Sequence, residues 1–344
     1  MRLLAYIRLF VVLVVLSNCA NSKNYEDSDS DISETESDVL NISDTLVHSV
    51  PINYSATVED THDSLKKEIR SYKDILDLYE KLNYTPEAWQ AGIREVPRVY
   101  LTTIGDRWSK TTTKEIDVLL KKQLFFRGLA PMILHSNELI MKDRKRLEVI
   151  RTMMQGNNPL SEMDQIWTRK LAGLYKVKSS DDQVTSTMIE ELGKKVDIVP
   201  PSLALGQGAE ESGWGTSRFA ATGNAIYGQW TWGKNAMVPD EQRKELGNYG
   251  IAAFESLQES VCGYMLNLNT HSAYADLRNK RAELRESGQK ITGSVLAEQL
   301  TKYSERGEEY VKGLKSLMEY NRLSPVDDAY LSDEPQIFLI PVAD

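Results

Sequence analysis

The chain has 344 residues, of which 41% are apolar, enough to bury a sizeable core and long enough to favour about two domains. Its formal net charge is −9, and the seven acids between Glu26 and Asp38 supply most of it; the −2 that remains excludes the basic footprint of a nucleic-acid-binding protein. Cys19 and Cys262 allow one disulfide at most, and His48, His62, His135 and His271 are scattered without ligand spacing, so neither a metal nor a cofactor is expected.

Residues 1–19 carry Arg2 and Arg8, then the apolar run Leu9 to Leu16. That run is too short to span a bilayer and suits the core of a signal peptide. The following Leu16-Ser-Asn-Cys19 resembles a bacterial lipobox, which implies cleavage before Cys19 and lipid on it. Asn18 departs from the small residue usual there, so an ordinary secretory signal stays open. The implied location is the cell envelope, as a periplasm-facing lipoprotein of the outer membrane, or else secretion. Residues 20–62 form an acidic tether whose composition cannot offset its ordering entropy.

Residues 63–155 are expected to be a helical extension. Leu65, Ile69, Tyr72, Leu76, Tyr79 and Leu82 recur at helical spacing. A second helical run covers about 114–153, with a break or kink near Gly128 and Pro131, and the loop Gly156 to Pro159 marks a boundary. In residues 156–325, helices are expected at about 161–175, 184–195, 201–213, 256–270, 273–287, 293–302 and 307–321. Between them, residues 214–252 are punctuated by glycines and read as loops with a small antiparallel hairpin. Residues 326–344 remain as a C-terminal tail. Cys262 sits in a helical pattern, where a buried inert thiol is expected.

Pro200 and Pro201 start the helix that stops at Gly213, which places Glu211 in its last turn. There the helix dipole opposes a negative charge, and Trp214 adds an apolar ring nearby; both raise the carboxyl pKa. A Glu protonated at neutral pH is a general acid, although an ordinary solvated helix-end carboxylate has the same local pattern. Adjacent helical side chains point about 100° apart, so at most one of Glu210 and Glu211 faces a common groove.

Glu211-Ser-Gly-Trp-Gly, followed by Gly223-Asn-Ala-Ile-Tyr-Gly-Gln-Trp230, is similar to the signature of bacterial glucosaminidases that cleave peptidoglycan. Phe254-Glu-Ser-Leu-Gln-Glu-Ser260, the segment from Tyr264 to Ala275, Tyr303-Ser-Glu-Arg-Gly-Glu-Glu-Tyr310 and Leu134-His-Ser-Asn-Glu-Leu139 resemble the Bax-like branch. This resemblance covers about residues 120–323. It implies a predominantly α-helical α+β, lysozyme-like fold with a small β-lobe. The implied reaction is hydrolysis of the bond between N-acetylglucosamine and N-acetylmuramic acid in peptidoglycan glycan strands.

Carried onto this chain, the resemblance makes Glu211 the general acid, with Glu210 a surface carboxylate. Tyr274 is implied as a supporting residue beside the acid, and Trp214, Asn224, Tyr227, Gln229 and Trp230 as substrate-binding positions. Trp214, Tyr227, Trp230 and Trp232 invite a sugar-stacking reading against core filling; for Trp214 the two stand equal, and Tyr227 also reads as a structural floor under the groove. A second carboxylate is needed for most glycosidases. Asp240, Glu241 and Glu245 are available, with Glu241 and Glu245 preferred; a solvated charge run and participation by the substrate's 2-acetamido group are the alternatives. Glu259 has a structural explanation, since Ser256-Leu-Gln-Glu259 is a capping box. Two other readings compete: a wall amidase or peptidase, and a non-catalytic glycan-binding envelope lipoprotein.

Overall fold

The computed structural model describes residues 64–105, 107–178, 183–233, 236–239 and 249–342. The expected signal, the lipidated Cys19 and the tether lie outside the described residues, as do Asp240, Glu241 and Glu245.

The chain runs through β1 (Leu65–Ile69), α1 (Tyr72–Lys81), α2 (Pro86–Gln90), β2 (Glu95–Val96) and β3 (Val99–Leu101). A π-helical turn (Trp108–Thr112) and the single turn α3 (Thr113–Glu115) lead into α4 (Val118–Gln155). Next come α5 (Glu162–Leu174), α6 (Ser186–Lys195), α7 (Pro201–Ser212) and α8 (Arg218–Gly223). The short strands β4 (Trp230–Thr231), β5 (Ala236–Met237) and β6 (Gly250–Ala252) follow. The chain ends with α9 (Leu257–Thr270), α10 (Ala275–Glu286), α11 (Gly293–Ala297), α12 (Glu308–Tyr320), β7 (Tyr330–Leu331) and β8 (Ile337–Pro341). This is the predominantly α-helical α+β class expected from the sequence.

The first expected helix is divided. Residues 65–69 form a strand because β8 pairs with them in parallel, Leu65 opposite Ile337 and Ile69 opposite Pro341. Asp74 Oδ2 then accepts from the N–H groups of Arg70 and Ser71 (2.8 and 2.9 Å), and the helix starts only there. The same pairing changes the expected C-terminal tail into structure, since β8 lies between β1 and β3 in a parallel sheet. Tertiary pairing here outweighs a local helical period.

Of the break or kink expected near Gly128 and Pro131, the break is absent: the 38-residue α4 runs through both. Proline removes the N–H that would bond the carbonyl four residues earlier. That carbonyl, on Arg127, instead accepts from the Tyr84 hydroxyl at 3.3 Å, and residues 129–134 are buried on all sides. Packing continues past the Gly156–Pro159 turn: Leu129, Ile133, Ile140 and Leu147 share one core with Trp167, Leu203, Tyr264 and Leu314. Within residues 214–252, α8 was not expected; Ser217 caps it by accepting from the Ala220 N–H at 3.1 Å. The expected hairpin is a three-stranded antiparallel sheet of order β4-β6-β5.

At the centre is α7, buried from Pro201 to Ala209. A helix enclosed on every side needs small residues where neighbours approach closely. A Cβ on Gly206 would lie 2.8 Å from Met318 Cγ on α12, so only hydrogen fits. The helix start is held by Asp327, which accepts from Ser202 N–H, Ser202 Oγ (2.8 Å each) and Gly293 N–H (2.9 Å). Just before it, the Asn137 amide brackets Val199, donating to its carbonyl at 2.8 Å and accepting from its N–H at 3.0 Å. Buried Asp197 gathers Arg144 (3.4 Å), Arg281 (3.9 Å) and Arg285 (2.5 Å). These guanidinium groups hold its carboxyl below the usual range against the opposing effect of burial.

Candidate active site

Gly213 ends α7 in the left-handed conformation (φ 57°), which L side chains adopt only under strain. The Trp214 N–H returns to the Ala209 carbonyl (3.1 Å), while Ser212 Oγ donates to the Gly208 carbonyl (2.6 Å) and accepts from the Gly215 N–H (2.8 Å). The turn that carries Glu211 is thus fixed from both sides.

Glu211 is half-buried as a residue, with its carboxyl turned into the protein. Glu211 Oε1 accepts from the Tyr310 hydroxyl at 3.0 Å. Gln207, one turn earlier on the same face of α7, donates from Nε2 to that hydroxyl oxygen at 2.9 Å. Gln207 Oε1 in turn accepts from the Tyr264 hydroxyl at 2.6 Å. The rings of Tyr303 and Tyr310 stack at 5.3 Å, and Tyr274 lies 5.8 Å from Tyr303. The charge of Glu211 acts on Tyr264, Tyr274, Tyr303 and Tyr310, and all four hydroxyl pKa values are raised, chiefly by burial.

Burial is the main cause that pushes the Glu211 pKa up to about 8, and repulsion from Glu210 adds to it. The Tyr310 hydrogen bond and Arg306 act in the opposite direction. A carboxylic acid protonated at neutral pH can transfer that proton to a leaving-group oxygen. Glu210 points elsewhere, exposed and ion-paired to Arg306 at 2.9 Å.

The positions expected to bind substrate are used differently. Asn224 donates to the carbonyls of Phe254 (3.1 Å) and Glu255 (3.3 Å) and accepts from the Ile104 N–H (3.3 Å), so its amide is occupied in holding three chain segments. Tyr227 is fully buried and stacks on Tyr264 at 3.8 Å, which places it in the core beneath the acid. Trp230 is 1% exposed and stacks on Tyr249 at 4.3 Å, as the core of the β-lobe. Gln229 is likewise buried, with neither amide atom hydrogen-bonded. Asn224, Gln229 and Trp230 are corrected to interior positions, because side chains buried by the protein's own packing have no face left for a sugar, while buried Tyr227 fits the structural floor expected of it.

Trp214 is half-buried, edge-on to Phe125 (5.8 Å) and Phe126 (5.2 Å), with Lys122 Nζ 4.9 Å from the ring centroid. Trp232, by contrast, is 41% exposed at the edge of the β-lobe. Tyr274 is buried near Glu211, in the short 3-10 turn Ser272–Tyr274. Glu259 reaches back to the Glu255 N–H at 2.9 Å while Ser256 Oγ accepts from the Glu259 N–H at 3.2 Å, so it serves the start of α9. Cys262 is buried against Ser136 Oγ (3.4 Å), and burial pushes its thiol up, away from the reactive thiolate. Among the described residues, no group of three or more His, Cys, Asp or Glu could hold a metal ion.

Sequence reasoning missed Gln207, Tyr264, Tyr303 and Tyr310. Gln207 had a readable signal, its four-residue spacing from Glu211. Tyr264, Tyr303 and Tyr310 lie in the segments that carry the family resemblance, but nothing local placed them beside Glu211, since they come from α9, the turn after α11 and α12.

Residues 186–323, which include α7, the β-lobe and α12, match the glucosaminidase family described as mannosyl-glycoprotein endo-beta-N-acetylglucosaminidase. Protein bax of Escherichia coli (strain K12) is 32% identical over 206 residues, covering 59% of this chain and 70% of that protein. No solved structure matches. On this likeness, the chain belongs to the Bax-like glucosaminidase family, a family of glycoside hydrolases.

Proposed function

We propose that the protein is a peptidoglycan hydrolase that cleaves the bond between N-acetylglucosamine and N-acetylmuramic acid, with Glu211 as general acid. The observation that carries this reading is the burial of the Glu211 carboxyl at the end of α7, which favours its protonated form near neutrality against the opposing hydrogen bond from Tyr310. Glu211 gives its proton to the glycosidic oxygen as the bond to the anomeric carbon breaks. Glu241 or Glu245, or the acetamido oxygen of the substrate, stabilises the positive charge that develops there, and water completes hydrolysis. Tyr274 supports the acid from the aromatic wall. Trp214 and the exposed Trp232 supply aromatic faces for the sugar.

The reaction needs no cofactor, and the partner is the glycan strand itself. The Leu16–Cys19 motif supports attachment to the membrane through a lipid on Cys19, with the catalytic body in the envelope facing the periplasm. Digestion of purified walls by the parent and by Glu211→Gln, with mass spectrometry of the products, tests the assignment. New reducing-end N-acetylglucosamine from the parent, and none from the variant, is the expected result; unchanged lysis by Glu211→Gln rejects it. Loss of incorporated palmitate in Cys19→Ala tests the anchor.

A further inference from the structure

The geometry points to Gln207 as a positioning residue that sets the direction of the hydrogen bonds around Glu211 and thereby which carboxyl oxygen holds the proton. This inference rests on the proposed role of Glu211 as general acid and deepens it.

With the Gln207 amide oriented Oε1 toward Tyr264 and Nε2 toward Tyr310, each further step follows from donor and acceptor capacity. A primary amide has one end that accepts and one that donates, and a phenol has a single proton to give. Tyr264 gives its proton to Gln207 Oε1 (2.6 Å), which leaves Nε2 directed at Tyr310. The Tyr310 oxygen accepts from Nε2 (2.9 Å), so its own proton must go elsewhere, and Glu211 Oε1 receives it at 3.0 Å. An oxygen that already accepts from Tyr310 is the poorer place for the acid proton. Oε2 is therefore the oxygen that carries the proton in the neutral acid and gives it up in catalysis. Once Glu211 has given its proton away, the same Tyr310 donor stabilises the carboxylate without any group having to turn.

Gln207, Tyr264 and Tyr310 are each buried to within 1% of complete, so water does not compete for these bonds. Tyr264 is itself fixed by its stack on Tyr227 at 3.8 Å, and Tyr310 by its stack on Tyr303 at 5.3 Å. The direction of the relay is thus set by rigid rings at its two ends and one amide between them. Glutamate at 207, of nearly the same shape, would present two acceptors when ionised and draw the Tyr310 proton away from Glu211.

The test uses the full chain with Tyr264→Phe, Gln207→Met and Tyr310→Phe. For each, three quantities are measured: kcat and KM on wall fragments across pH, thermal unfolding, and the Glu211 carboxyl titration by carbon-13 NMR without substrate. A hydrogen bond to a charged group is the strong kind, so losing the Tyr310 donor is expected to lower kcat about tenfold or more. It should also raise the titration midpoint of Glu211 by about one pH unit. Gln207→Met and Tyr264→Phe are expected to follow in the same direction with successively smaller effects, and KM should stay within about twofold of the parent.

A purely structural role for Gln207 would lower the melting temperature but leave both the kcat profile and the Glu211 midpoint where they are. If folded Gln207→Met and Tyr264→Phe show that pattern, the inference is overturned; Tyr264→Phe removes one oxygen only and is the variant least exposed to a folding defect. The carboxyl titration needs no activity, so the relay is still read if Glu211→Gln retains lysis and the catalytic assignment alone fails.

Discussion

Replacing Glu211 by Gln should make the protein more stable, and the gain should grow with pH. In the folded protein burial pushes the carboxyl pKa up to about 8, against 4.5 for the free group, because it disfavours the charge. Between those two pH values the folded state keeps a proton that the unfolded chain releases, so stability falls as pH rises through this window. Each pH unit of the difference is worth about 1.4 kcal/mol, which makes the penalty about 5 kcal/mol once both states are ionised. Gln keeps an oxygen to accept from Tyr310 but never ionises, so it escapes that penalty. Melting curves of parent and variant, followed by circular dichroism at pH 5, 7 and 9, read the effect directly. Their midpoints should nearly coincide at pH 5 and separate by about 10 °C at pH 9, given about 2 °C per kcal/mol for a domain of this size. All other titrating groups are shared and cancel in the comparison. Parallel curves at all three pH values would refute the buried, neutral acid.

With Glu211 in its proposed role of general acid, kcat/KM on wall fragments should fall tenfold per pH unit above about 8, where its carboxyl ionises. Asp197→Ala should destabilise by about 3–5 kcal/mol in urea unfolding, because Arg144 and Arg281 are left buried without their carboxylate. The stabilising effect of Asp197 is present above the ordinary carboxylate pKa and is lost as pH falls through its depressed value, so the parent should weaken in acid while the variant changes less. Asn224→Ala should cost about 1–3 kcal/mol in thermal or urea unfolding by stranding the Ile104 N–H and the carbonyls of Phe254 and Glu255. Trp230→Ala should cost about 3–5 kcal/mol on the same measure; a drop in wall binding with stability unchanged would return Trp230 to the sugar-binding surface.

The end of α7 was legible because its signals are local. Two prolines, a run of small and apolar residues and a glycine that adopts positive φ bound the helix, and Glu211 needs only its place in the last turn to feel the dipole. The cap of α9 was legible for the same reason: Ser256 accepts from the Glu259 N–H, although Glu259 reaches back to Glu255 and not to Ser256. The aromatic motif residues were ambiguous, since Tyr227 and Trp230 have the flat faces that sugars favour and the bulk that cores need. Residue type alone does not separate those uses; only the stacking of Tyr227 on Tyr264 and Trp230 on Tyr249 does.

The sequence by itself determined the chain's family, through its motifs, and the helix whose last turn holds Glu211, because the signals that bound that helix act within a few residues. Tertiary structure decided that residues 65–69 are a strand and that the C-terminus completes a sheet, since β8 must arrive from the far end of the chain to pair. It also decided that α4 runs through Pro131, where Tyr84 takes up the freed carbonyl. The chemistry of Glu211 divides the same way: its place at a helix end is local, whereas the burial and the Gln207–Tyr310 relay that govern its proton come from α9 and α12 closing around it.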